Sequence, residues 1–204
     1  MRLIGHAMRI IQRLIFLCLT GVLVVGVFDG RMPFAQSREY VGERTTPSNE
    51  YLLKAAFLYN FAKLTRWPKS SFEGPESPLQ LCVLGDNPFG TALGALAGRK
   101  VAGRPIEPRK ITFTEEAAGC HIVFVTGPWL PELATALESS ADGPVLTVGD
   151  AQDFAKLGGT ISMKTVNDKI RFEVNLEVAR RSGLRLDVRL LQLADNVFTG
   201  QGTN

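Results

Sequence analysis

The 204-residue sequence is poor in the side chains that most enzymes use. It has two histidines, His6 and His121, and three cysteines, Cys18, Cys82 and Cys120. So few cysteines exclude a disulfide-dense mini-scaffold, and one late histidine removes most zinc and general-base schemes. There is no G-x-S-x-G elbow, no Walker glycine loop and no G-x-G-x-x-G after a strand. Cys120 and His121 are neighbours in a strand-like run and point to opposite faces, so they do not form a nucleophile–base dyad. Charge of one sign is also missing. Residues 1–35 hold Arg2, Arg9, Arg13 and Arg31 against Asp29, and without them the 23 basic and 20 acidic residues become 19 of each. A neutral remainder argues against nucleic acid as a partner, which needs a clustered positive face. Hydrophobic residues at 45% and charged residues at 21% exclude global disorder and fit a chain that folds around a core.

The N-terminus has the plan of an export signal. Arg2, His6, Arg9 and Arg13 precede an apolar run over residues 14–28, too short to span a bilayer. Pro33, Phe34 and Ala35 follow, which places cleavage near Ala35. Cys18 lies inside the apolar run without a small residue before it, which speaks against a lipoprotein anchor. An uncleaved anchor helix is the other reading, and export to the periplasm follows from both. In an oxidising compartment Cys82 and Cys120 are expected to pair. They fall in neighbouring strand-like runs, and adjacent strands stand within a disulfide's reach. A structural bridge is the expectation, a redox switch the alternative.

The expected organisation is a signal over 1–35, a polar leader over 36–47, a domain over 48–197 and a disordered tail over 198–204. Ser48 is a candidate N-cap with Glu50 in the first turn. Leu53, Phe57, Phe61 and Leu64 then recur at helical spacing up to Trp67 and Pro68. Beyond this helix, short apolar runs alternate with helical stretches. Strands are predicted at 79–85, 106–113, 120–126 and 144–149, and short helices at 91–97, 130–139 and 151–157. The run CHIVFV suggests a strand buried on both faces. At 161–174 the period changes to two on either side of Asn167-Asp168, which reads as an antiparallel hairpin. Asn175 is placed to cap a helix over 176–182, with Arg180 and Arg181 in its last turn and Gly183 beyond. The predicted fold class is α/β: a mostly parallel sheet flanked by helices, with an antiparallel hairpin near the C-terminus.

Asp86, in the turn DNPFG with Phe89, follows a strand, where open α/β sheets gather ligands. The same acid before Asn-Pro is also an ordinary turn residue. Four segments together, YLLKAAFLYNFAKLTRWP (51–68), LCVLGDNPFG (81–90), CHIVFV (120–125) and IRFEVNLEVARRSGLRL (170–186), resemble the YfiR family. The resemblance covers about residues 48–196. It implies a non-enzymatic periplasmic regulator without a cofactor. Such a protein binds the periplasmic sensor region of a membrane-anchored diguanylate cyclase, represses it, and lowers cyclic-di-GMP and biofilm formation. It further implies a homodimer, redox sensitivity through Cys82 and Cys120, and small-molecule or partner contacts at Arg171, Glu173, Asn175, Arg181 and Arg185. For Glu173 and Arg181 a solvated strand face and helix capping compete with that role. A periplasmic small-ligand receptor is the alternative, its polar cleft built from the Asp86 turn and the Arg171/Glu173 strand. In the regulatory reading the complex is expected to rest on an apolar patch rather than on charge.

Overall fold

The computed structural model describes residues 48–127 and 143–200, with positions 134, 135 and 139 between them. The expected signal, leader and cleavage site, most of the expected 130–139 helix and residues 201–204 lie outside the described residues.

Helix α1 (Asn49–Lys63) begins after Ser48, which takes the extended N-cap conformation without a side-chain capping bond. It stops at Lys63, short of the predicted end at Trp67. Thr65–Arg66 instead forms a two-residue strand, β1, paired antiparallel with β9 (Arg185–Leu186). Two local effects end the helix early. The Thr65 hydroxyl donates to the Phe61 carbonyl, and Trp67 precedes Pro68, which disfavours helical backbone at the preceding residue.

The main sheet is built from β2 (Leu79–Leu84), β3 (Lys100–Val101), β4 (Arg104–Ile111), β5 (Ile122–Val125), β6 (Leu146–Gly149), β7 (Ile161–Val166), β8 (Lys169–Asn175) and β10 (Asn196–Phe198). Its order is β10-β8-β7-β6-β5-β2-β4-β3. The pairs β4/β2, β2/β5, β5/β6 and β6/β7 are parallel, while β7/β8 and β3/β4 are antiparallel. The fold is therefore the α/β class read from the sequence. All four β5 residues are buried, as their unbroken apolar character suggested. Alternation in β2 sends Leu79, Leu81 and Val83 into the core under α1, and Cys82 and Leu84 into a second cluster on the opposite face.

Asn167 and Asp168 both adopt left-handed backbone at the tip of the β7–β8 hairpin, the conformation that a tight primed turn requires. Asn175 caps α3 (Leu176–Arg181) by accepting from the Val178 amide at 3.0 Å. The remaining helices are α2 (Thr91–Gly94) and α4 (Val188–Leu193). The predicted helix over 151–157 is a run of turns instead. Asp153 has positive φ, which a right-handed helix does not accommodate. The path winds around the fully buried Phe154 ring, which occupies the space where Gly149 and Gly159 would carry a Cβ. Among the described residues no helix is long and apolar enough to cross a membrane.

Candidate functional site

Helix α1 is apolar on more than one face, so its periodicity did not identify the buried side. Its core face consists of Lys54, Ala55, Leu58, Phe61 and Ala62. Of the stripe read from the sequence only Phe61 is fully inside; Leu53 is 46% exposed, and Leu52 beside the stripe is 47% exposed. Phe57, Phe61 and Leu64 of this stripe wall a groove of about 500 Å³ between α1, β8 and α4. Phe57, Phe61 and Phe172 form its aromatic floor, with ring centroids 5.1–6.1 Å apart and inclined edge to face. Leu64, Ile170 and Leu190 complete the apolar lining, and Asn60, Arg171 and Leu193 stand at the rim. Leu193 is 68% exposed. Such volume and lining are those of a binding cleft.

The hairpin register builds the β8 rim. Lys164 faces Arg171 across the ladder and Ser162 faces Glu173. Lys164 pairs with Glu173 at 3.2 Å and Asp195 at 3.8 Å, and Arg171 reaches Asp195 at 3.6 Å. This rim is electrically neutral.

The residues singled out from the sequence do not converge on one cleft. Asp86 is fully exposed after β2, with Lys110 3.7 Å away. Phe89 is completely buried, edge to face with Tyr51 at 5.3 Å and Phe124 at 4.7 Å, so its ring belongs to the core. Arg171 and Glu173 lie on β8, four strand positions from β2, or roughly 19 Å at about 4.8 Å per strand. A single polar cleft joining Asp86 to Arg171 and Glu173 is therefore absent. Asn175 and Arg181 do meet, in a depression of about 290 Å³ shared with Lys156 and Phe198. Arg185 is exposed on β9 opposite Arg66.

Three arrangements escaped the sequence reading. Lys54 is 2% exposed. Its ammonium is held by Glu50 at 2.6 Å and Asp150 at 2.5 Å and lies over the Tyr51 ring at 4.5 Å. Tyr51 donates to Asp150 and Thr165 to Glu50. Hydrogen bonds from Lys54 and Thr165 hold the Glu50 carboxyl below its ordinary range, while burial and the Asp150 carboxylate push the Tyr51 phenol up. The isolated lysine in an apolar stretch was the available signal, because a fully buried lysine needs partners.

His121 is the second. It is stacked on Phe72 at 4.3 Å, its Nδ1 accepts from the Gln80 amide, and its Nε2 lies 2.9 Å from the Ser71 carbonyl. Those partners require the neutral tautomer with hydrogen on Nε2. Burial lowers the imidazole pKa, the Ser71 carbonyl opposes this, and the Arg104 charge reinforces it.

The third is Arg109, which donates to Cys82 Sγ and Cys120 Sγ and also to the Glu116 and Ala118 carbonyls. Cys82 and Cys120 form the expected disulfide, with Cα atoms 6.1 Å apart.

A family model described as YfiR/HmsC-like matches residues 51–195, from the first turn of α1 to the residue before β10.

Proposed function

The chain belongs to the YfiR/HmsC-like family, and on that premise we propose that it is a periplasmic regulatory binding protein. It holds a membrane-anchored diguanylate cyclase inactive by contact with the cyclase's periplasmic sensor region, and so lowers cyclic-di-GMP and biofilm formation. The match over nearly the whole described domain is the observation that carries this reading. The groove beside α1 supports it, because its aromatic floor and the exposed Leu193 at its rim supply an apolar patch for a protein partner. The protein acts as a homodimer, to be checked by light scattering. The functional test is binding of the mature protein to purified periplasmic regions of membrane-anchored cyclases from its own organism, with cyclic-di-GMP measured on deletion. Complex formation at micromolar concentration and a rise in cyclic-di-GMP are expected; neither occurring refutes the reading.

A small-ligand receptor is the second reading, favoured by the depression where Arg181, Lys156 and Asn175 meet beside Phe198. Arg181 there supplies a cation for a small carboxylate, beside the Glu177 carboxylate and with Lys156 already paired to Asp153. Thermal-shift screening of carboxylates tests it, since a ligand at 100 times its dissociation constant adds about 2.7 kcal/mol. A screen without any shift speaks against it.

A further inference from the structure

The groove beside α1 has two unlike rims. On the β8 side Lys164 is neutralised by Glu173 and Asp195, and Arg171 by Asp195, which leaves Lys169, at the hairpin end of β8, outside these ion pairs. On the far side of α1, Lys63 and Arg99 flank the Tyr59 ring, 5.5 Å and 5.1 Å from its centroid. The Tyr59 hydroxyl donates to the Lys100 backbone carbonyl, which ties α1 to the edge strand β3, where Lys100 adds a third exposed cation. Lys63, Arg99 and Lys100 are exposed, and among the described residues none of them makes an ion pair. Lys63 stands one helical turn from Asn60, which lines the groove.

We infer that this face docks an acidic amphipathic segment of a protein partner, its apolar residues in the groove and its carboxylates against Lys63, Arg99 and Lys100. The inference rests on the regulatory reading above and specifies the surface and the chemistry of the partner. A concave apolar floor takes up side chains of a chain segment. The more cationic rim orients that segment, because the opposite rim, its Lys164 and Arg171 already paired, offers only Lys169 at the hairpin end. The apolar floor holds the complex together, and the cations govern encounter rate and orientation.

An anionic bilayer is the competing occupant, and the experiment separates the two. The probes are the purified periplasmic regions of the organism's membrane-anchored diguanylate cyclases and vesicles of phosphatidylglycerol with phosphatidylcholine. The test proteins are the mature wild type, the triple variant Lys63→Glu/Arg99→Glu/Lys100→Glu, and Leu193→Asp, with folding checked by circular dichroism. All four substituted positions are exposed, so the variants should stay folded. The triple variant is expected to weaken cyclase binding by about 10- to 100-fold, mainly through a slower, less salt-sensitive association. Leu193→Asp should weaken it mainly through faster dissociation. Wild-type binding that the triple variant leaves unchanged overturns the inference while the regulatory reading stands. Charge-dependent binding to vesicles, with cyclase binding insensitive to the same variants, also overturns it. No cyclase binding by the wild type removes the regulatory reading and this surface together.

Discussion

Replacing Lys54 by methionine keeps most of the side-chain volume and removes the ammonium from between Glu50 and Asp150. Deleting one partner of a buried ion pair costs about 3–5 kcal/mol, because the charge left behind is stranded. Here the carboxylates keep some water: the Asp150 side chain is 17% exposed and that of Glu50 is 39% exposed. The expected loss is therefore at the low end, about 3 kcal/mol, against the 5–15 kcal/mol total stability common for domains. With a urea m-value near 2 kcal/mol/M, the midpoint should fall by about 1.5 M. Lys54→Met/Asp150→Asn should recover part of this, since an asparagine oxygen can still accept from Tyr51 and no buried carboxylate remains. Acid provides a second readout. Lys54 and Thr165 hold the Glu50 carboxyl below its usual 4.5, so the folded state takes up that proton less readily than the unfolded chain. The resulting stabilisation is present above about pH 4.5 and fades as pH falls through the depressed value. The gap between wild type and Lys54→Met should narrow there. A single variant within about 1 kcal/mol of wild type, or a double variant no better than the single, would refute the reasoning.

Other outcomes follow from the same structure. Cys82→Ala/Cys120→Ala opens a loop with a sequence separation of 38 and should cost about 4 kcal/mol on the chain-entropy estimate; a urea midpoint nearly unchanged would contradict it. His121 has its pKa lowered by burial, so the unfolded chain binds the proton more readily. Melting temperature should hold steady above about pH 6.5 and drop as pH falls below it, whereas His121→Gln should be flat between pH 7.5 and 5; a flat wild type would sink this account. Gly159→Ala places a methyl group inside the Phe154 ring and should cost about 1–3 kcal/mol by overpacking. Phe154→Leu should relieve part of that cost in the double variant, and additive costs would argue against the clash.

Patterns confined to a few neighbouring residues were readable directly. The β7–β8 hairpin around Asn167-Asp168, the Asn175 cap and the doubly buried β5 follow from local periodicity and turn chemistry. The inward face of α1 did not, because leucines and phenylalanines surround most of the helix and the choice is made by the sheet core, Leu79, Leu81 and Val83 among it, packing against it. The turns at 151–157 depend on Phe154 fitting against Gly149 and Gly159, contacts without any periodic trace. Candidate site residues suffered most from unknown strand order. Asp86 and Arg171 both sit near strand ends, but three strands intervene between β2 and β8. The Lys54 network joins positions almost a hundred residues apart, which no spacing rule reaches.

The cystine makes a closed ring of the chain from Cys82 to Cys120, enclosing β3, β4 and the link back toward β5. Arg109, inside that ring, clasps both sulfurs. The β8–β10 flank, with α1 and α4, has no such covalent fastening among the described residues and is held by packing, hydrogen bonds and ion pairs. Transient opening in the native state should begin at this flank, and amide exchange there should be the faster. A partner that settles beside α1 would therefore brace the looser half of the molecule, and slowed exchange in β8 and α4 would report its arrival.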